Sequence, residues 1–195
     1  MHFHGVVLGS QHEIWSNQHN GKVRGIIFEI DRIDFDYLEQ ICAERGPLTL
    51  DERVRSNLRA IKRLRLFQTY YAYPVLGSNG LPLPYWQPAM EEDLSEANES
   101  ELILMVRSVA DLRESDINLQ EVIDFVYDKL YIDSYDAEIG SVRIPGYRSY
   151  VAEVKRRVEE HMQKGWNIKP LRLPKELHTL YRLARKHGLE EQLDF

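Results

Sequence analysis

Hydrophobic and polar positions first alternate along this chain and then settle into a period of three to four. Residues 3–8 read as a short strand. Residues 12–19 and 22–30 flank Asn20-Gly21, a dipeptide that suits a two-residue type I′ turn because both positions accept positive φ. With that turn the paired numbers sum to 41 (Trp15 opposite Ile26, Ile14 opposite Ile27, His12 opposite Glu29). One face of the hairpin then carries Trp15, Ile26, Phe28 and Ile30 and is expected to be core. The other carries His12, Ile14, Ile27 and Glu29.

A helix is expected from about Asp34 to Arg45, ended by Gly46-Pro47. The next opens on Thr49-x-x-Glu52, a capping-box pattern, and should span 50–67. Its apolar arc holds Leu50, Val54, Leu58, Ile61, Leu64 and Phe67, and Arg55, Arg59, Lys62 and Arg63 lie on the other side. Residues 69–90 change character, with Tyr70, Tyr71, Tyr73, Tyr85 and Trp86 interleaved with Pro74, Pro82, Pro84 and Pro88. Four prolines exclude a long regular central strand, so extended pieces around the Gly77–Gly80 turn are expected. An acidic run, 91–101, precedes a strand near 102–109.

The last third, 117–188, reads as helical. Asn118 caps one helix, a second covers about 147–163, and a third runs from Pro174 to Gly188. Tyr127 and Tyr131 fall four apart on one helical face and, with Tyr135, Tyr147 and Tyr150, are read as packing residues. This order of elements predicts one α+β domain over 1–195. It should have a small, largely antiparallel sheet, an N-terminal β-hairpin at 12–30, and helices packed on one face.

Composition narrows the function classes. The 195 residues are 43% hydrophobic and carry a formal net charge of −6, an acidic balance that argues against general nucleic-acid binding. A single cysteine, Cys42, excludes an intrachain disulfide and a Cys-x-x-Cys zinc pair. It is read as a small buried hydrophobe. No signal-peptide pattern or apolar run of membrane-spanning length stands out, so a soluble, cytoplasmic protein without a membrane partner is expected.

Four of the seven histidines fall within the first nineteen residues. His2 and His4 would share one face of a strand and, with His12, could ligate a divalent metal if they converge. A carboxylate beside an imidazole fixes its tautomer, so His12 with Glu29 is the candidate catalytic pair. Arg55, Arg59 and Arg63 could hold an anionic group, unless the acidic run 91–101 meets them within the chain. The aromatic and proline segment offers rigid amphipathic rings with little entropy to lose. Tyr71, Tyr73, Tyr85 and Trp86 are therefore the candidate ligand residues.

Two short stretches carry a resemblance. Asn20-Gly21-Lys22-Val23-Arg24-Gly25-Ile26-Ile27 resembles the hairpin of GNAT-type acyltransferases, and Leu180–Leu189 is similar to their closing helix. No Arg/Gln-x-x-Gly-x-Gly/Ala turn follows a strand, so no acyl-CoA site is transferred. Phosphate-loop, dinucleotide, Gly-x-Ser-x-Gly and His-Glu-x-x-His patterns are absent.

The leading expectation is a binding or interaction module for a protein partner or small anionic ligand, using 69–90 and the basic helix. An enzyme (a transferase or a metal-assisted catalyst) built on His12 and Glu29, and a nucleic-acid-binding regulator, are the alternatives. A homodimer and the identity of any cofactor stay open.

Overall fold

The computed structural model describes residues 14–16, 23–43, 52–89, 93–96, 99–108, 118–132, 144–163 and 165–173. Strands β1 (Ile14–Ser16) and β2 (Val23–Asp31) lead into helices α1 (Phe35–Ala43) and α2 (Glu52–Thr69). Strands β3 (Ala72–Gly77), β4 (Tyr85–Gln87) and β5 (Ser100–Ser108) follow. Helix α3 (Leu119–Asp124) continues into a π-helical stretch, Phe125–Leu130. Helix α4 (Tyr147–Met162) precedes strand β6 (Trp166–Ile168). The strand proposed at 3–8 and the helix proposed at 174–188 lie outside the described residues, as do His2, His4 and His12.

The six described strands form one sheet in the order β1-β2-β5-β3-β6, with β4 also beside β5. Every pairing is antiparallel, so the expected α+β class holds. Strand β5 is the spine. Along one edge it meets β2, from Leu102 opposite Asp31 to Ser108 opposite Gly25. Along the other it meets β4 at Ser100–Leu102 and β3 at Met105–Arg107. Prolines explain why that second edge is shared between two short strands, since each removes a ladder donor. Strand β3 leaves β5 at Pro74 and pairs β6 from Val75 to Gly77. It then turns through Gly80 (φ +76°) and returns, with Leu83 N–H donating to Val75 O at 2.9 Å. This is the irregular hairpin expected for 69–90. The helical last third also contains β6, which the sequence reading had not placed there.

Two expectations are corrected. The hairpin register is shifted by one: Ile14 faces Ile26 and Trp15 faces Gly25, with a bulge before Ser16 faces Val23. The tight-turn arithmetic assumed a regular ladder, and a bulge breaks it. The geometric premise that set His12 across from Glu29 is therefore absent from the described ladder. The helices also cover both faces of the sheet, where one was expected. Alternate residues of β2 and β5 enter two different cores. Ile27, Leu104 and Val106 pack with Val122, Val126, Tyr127, Val151 and Val154 of the later helices. Ile30, Ile103 and Met105 pack with Leu38, Leu58, Ile61 and Leu64 of α1 and α2. The run Ile26-Ile27-Phe28 signalled a strand covered on both sides, because strict alternation fails there.

A polar knot fixes α1 against α2. Asp34 caps α1 by accepting from Tyr37 N–H at 3.1 Å. Its own N–H donates to Asn57 Oδ1 at 2.6 Å, and Asn57 Nδ2 donates to Arg53 O at 2.9 Å. Arg53 Nη2 donates to Asp34 Oδ2 at 2.6 Å, and its guanidinium lies over the Tyr37 ring at 3.9 Å. The hydrogen bond from Arg53 is the main reason the Asp34 carboxyl sits below its ordinary pKa. Asn57 is the one buried polar residue among those described. Asn57→Ala is expected to cost about 1–2 kcal/mol by stranding polar groups on both helices. A lower urea midpoint with an unchanged slope would be the sign.

Candidate functional site

Helix α2 buries Val54, Asn57, Leu58, Ala60, Ile61 and Leu64, which follow the helical period. The opposite face begins at Arg55. Arg55, Arg59, Arg63, Leu66 and Tyr70 follow one another at spacings of three and four. At 100° per residue they fall within an arc of about 80°. Basic character therefore runs along one stripe and becomes apolar at the C-terminal end of the helix.

That end is unusual for what it exposes. Leu66 is 46% exposed, Tyr70 57% and Tyr71 72%, and these are the large exposed hydrophobics among the described residues. The chain leaves the helix through Tyr70 N–H to Phe67 O at 3.0 Å and Tyr71 N–H to Gln68 O at 3.1 Å. Tyr71 has φ +61°, the left-handed conformation in which glycine usually ends a helix. It is the only non-glycine residue with positive φ among those described. A side chain there costs about 1–2 kcal/mol, yet the ring stays in solvent and gains little packing in return. Strain of this kind clusters at functional sites in proteins, which makes Tyr71 a candidate.

Two arginines of the stripe, Arg59 and Arg63, already meet carboxylates. Arg59 Nη2 lies 2.5 Å from Glu52 Oε1, and Arg63 pairs with Asp31 at the end of β2. The acidic run contributes elsewhere: Arg32 pairs with Glu101, and Arg157 Nη1 lies 2.7 Å from Glu99 Oε2. The four arginines of these pairs are all at least a third exposed, so their net stabilisation is small and a competing carboxylate can replace the partner. Arg55 is half-buried at the start of the stripe.

The remaining aromatic candidates lie apart from Tyr71. Tyr85 is 1% exposed and belongs to the core on the other face of the sheet. Tyr73 is half-buried against that same core. Trp86 is half-buried, with its ring edge-on to His161 at 5.2 Å between centroids.

Glu29, the second candidate catalytic residue, occupies a different environment. It lies on β2 opposite Leu104, and its carboxylate accepts from Tyr131 Oη. Tyr85 Oη donates to Tyr131 Oη at 3.0 Å, and Tyr127 Oη donates to Trp86 O at 2.6 Å. The ring centroids of Tyr127 stand 5.6 Å from Tyr85 and 5.5 Å from Tyr131. Burial raises the Glu29 carboxyl above its ordinary value, and hydrogen bonds from Tyr131 and Tyr85 pull it partly back. Burial likewise pushes the Tyr85 and Tyr131 hydroxyls well above the usual phenol range, with Glu29 adding to the effect. This cluster ties sheet to helix through an ionisable group.

Leu66 and Tyr70 were not among the candidate residues. The signal was present, since Leu66 lies outside the apolar arc of its own helix. Glu29 was found, but its partners Tyr85 and Tyr131 were not linked to it, because they lie 56 and 102 residues further along the chain. Among the described residues, no three His, Cys, Asp or Glu side chains group to hold a metal, and no helix is long and apolar enough to cross a membrane. No protein family, curated protein or solved structure matches this chain.

Proposed function

We propose that this chain is a cytoplasmic interaction module that binds an acidic segment of a partner protein along the solvent face of α2. Apolar residues of the partner pack on Leu66, Tyr70 and Tyr71. Its carboxylates exchange with Glu52 and Asp31 at Arg59 and Arg63, and Arg55 extends the basic end. The observation that carries this reading is the junction of the arginine stripe with three exposed hydrophobics, one of them held at positive φ. Exposed aromatics beside arginine are the residue types that dominate binding energy at protein interfaces. The acidic overall charge supports a local basic stripe reading carboxylates rather than a general nucleic-acid surface.

Selection of displayed twelve-residue peptides on the wild-type protein tests the reading, with counter-selection on Leu66→Ser/Tyr70→Ser. Enriched peptides should combine Asp or Glu with Leu, Phe or Trp. They should bind more weakly as salt rises, because surface pairs are screened. Enrichment without acidic residues, or equal binding to the double variant, would remove the α2 site. Tighter binding of duplex DNA than of any peptide, falling steeply with salt, would favour the nucleic-acid alternative.

Tyr71→Gly separates binding from folding. Glycine accepts φ +61° freely, and a ring that is mostly in solvent loses little. The variant should be about 0.5–1 kcal/mol more stable. It should nevertheless bind the selected peptide about tenfold more weakly, a loss of about 1.4 kcal/mol. Thermal melts and a peptide titration on the same preparation give both numbers.

A further inference from the structure

The buried residues of α3 and its continuation, Leu119, Val122, Ile123, Val126, Tyr127, Leu130 and Tyr131, recur at the three-and-four spacing of an ordinary α-helix. No proline or glycine interrupts residues 118–132. The local sequence therefore asks for α, yet Phe125–Leu130 is π-helical and Tyr131 N–H bonds to Val126 O, five residues back. A π turn without a local breaker needs a tertiary cause. Three contacts bear on it. Tyr127 Oη reaches Trp86 O on β4, Tyr131 Oη reaches Glu29 on β2, and Lys155 Nζ of α4 lies 2.9 Å from Asp124 Oδ1 and 2.5 Å from Asp128 Oδ2. The Lys155 pairs join residues four apart, a spacing that an α-helix satisfies as well. The Tyr127 bond lies within the first turn of the stretch. Of these three contacts, the Tyr131 bond is the one at the end of the π segment, where Leu130, Tyr131 and Ile132 are also buried.

We propose that the hydrogen bond from Tyr131 to Glu29 selects the helix register. While it is made, Phe125–Leu130 stays in the π form; when it is lost, the segment rewinds as α-helix. Rewinding moves each later residue by one helical position, about 100° around the axis and 1.5 Å along it. Tyr131 Oη would then be drawn away from Glu29, which would keep the hydrogen bond from Tyr85. The contact is thus a latch between a strand and a helix with two available windings, a bistable element of the kind that conformational switches use.

Backbone NMR assignment of Tyr131→Phe and Glu29→Leu tests this. The first removes the donor and the second the acceptor, and an apolar replacement of a buried charge generally folds. In both variants the amide of residue 131 should bond to Tyr127 O, with nuclear Overhauser contacts of the i to i+4 type through 125–131. Wild-type protein and Lys155→Ala should keep the i to i+5 pattern. Persistence of the π pattern in either latch variant would overturn the proposal, and so would its loss in Lys155→Ala. If one latch variant fails to fold, the other decides.

Discussion

Tyr131→Phe will destabilise the protein by about 1–3 kcal/mol at pH 7, and by less at pH 4. The ring itself is kept, so the loss starts from a carboxylate that keeps the hydrogen bond from Tyr85 but loses the one from Tyr131, and rewinding of the π stretch adds to it. The pH dependence follows from the sign of the Glu29 shift. Its folded pKa lies above the ordinary 4.5, so the folded state holds this proton more tightly than the unfolded state does. Glu29's contribution is therefore fully present below about 4.5 and is lost as pH rises through the folded value. Tyr131 moderates that loss by favouring the charged form. Without its hydroxyl the folded pKa climbs further, and the variant falls further below wild type as pH rises above 4.5. Urea melts at pH 4 and pH 7 give the difference directly. An equal penalty at both values would mean that Glu29 is not the group being stranded. In a Glu29→Gln background the pH dependence of the penalty should disappear.

Leu66→Ser/Tyr70→Ser will weaken the selected peptide by about a hundredfold, equivalent to about 2.7 kcal/mol, while the melting temperature changes little. Tyr70 is mostly in solvent and Leu66 about half so in the free protein, so removing them opens no buried cavity. In the complex they are the apolar anchors at the end of the stripe. Alanine at Arg59 and Arg63 should have a smaller effect, concentrated in the association rate and fading with salt, because exposed charges steer more than they hold. Kinetic traces at two ionic strengths separate these contributions.

How much of this was legible in the sequence depends on the range of the interactions involved. Helices α1, α2 and α4 were placed closely by their period and the start of α3 by its cap, signals that act within a few residues. The Asn118 cap is a case in point, its side chain accepting from Gln120 N–H at 3.0 Å. The antiparallel α+β class followed from the order of elements. The register of β1 on β2 did not, because a bulge after Trp15 breaks the arithmetic of a regular hairpin. The second helical layer was missed for a related reason. Glu29 makes its face look solvated, whereas its carboxylate is satisfied by a phenol more than a hundred residues away. The π turn was invisible, since its residues carry an ordinary α pattern and the contact that selects it is tertiary. At the candidate site, Arg59, Arg63 and Tyr71 were named from charge and composition. The stripe that joins them to Leu66 and Tyr70 was already implied by helical spacing.

The measurement that bears most directly on the central claim is a chemical-shift map of the isotope-labelled protein titrated with the selected acidic peptide. Binding along α2 predicts the largest shifts at Arg55, Arg59, Arg63, Leu66, Tyr70 and Tyr71, with smaller ones at Asp31 and Glu52 as their ion pairs exchange. Shifts centred instead on Trp86 and His161, with α2 unchanged, would contradict the account.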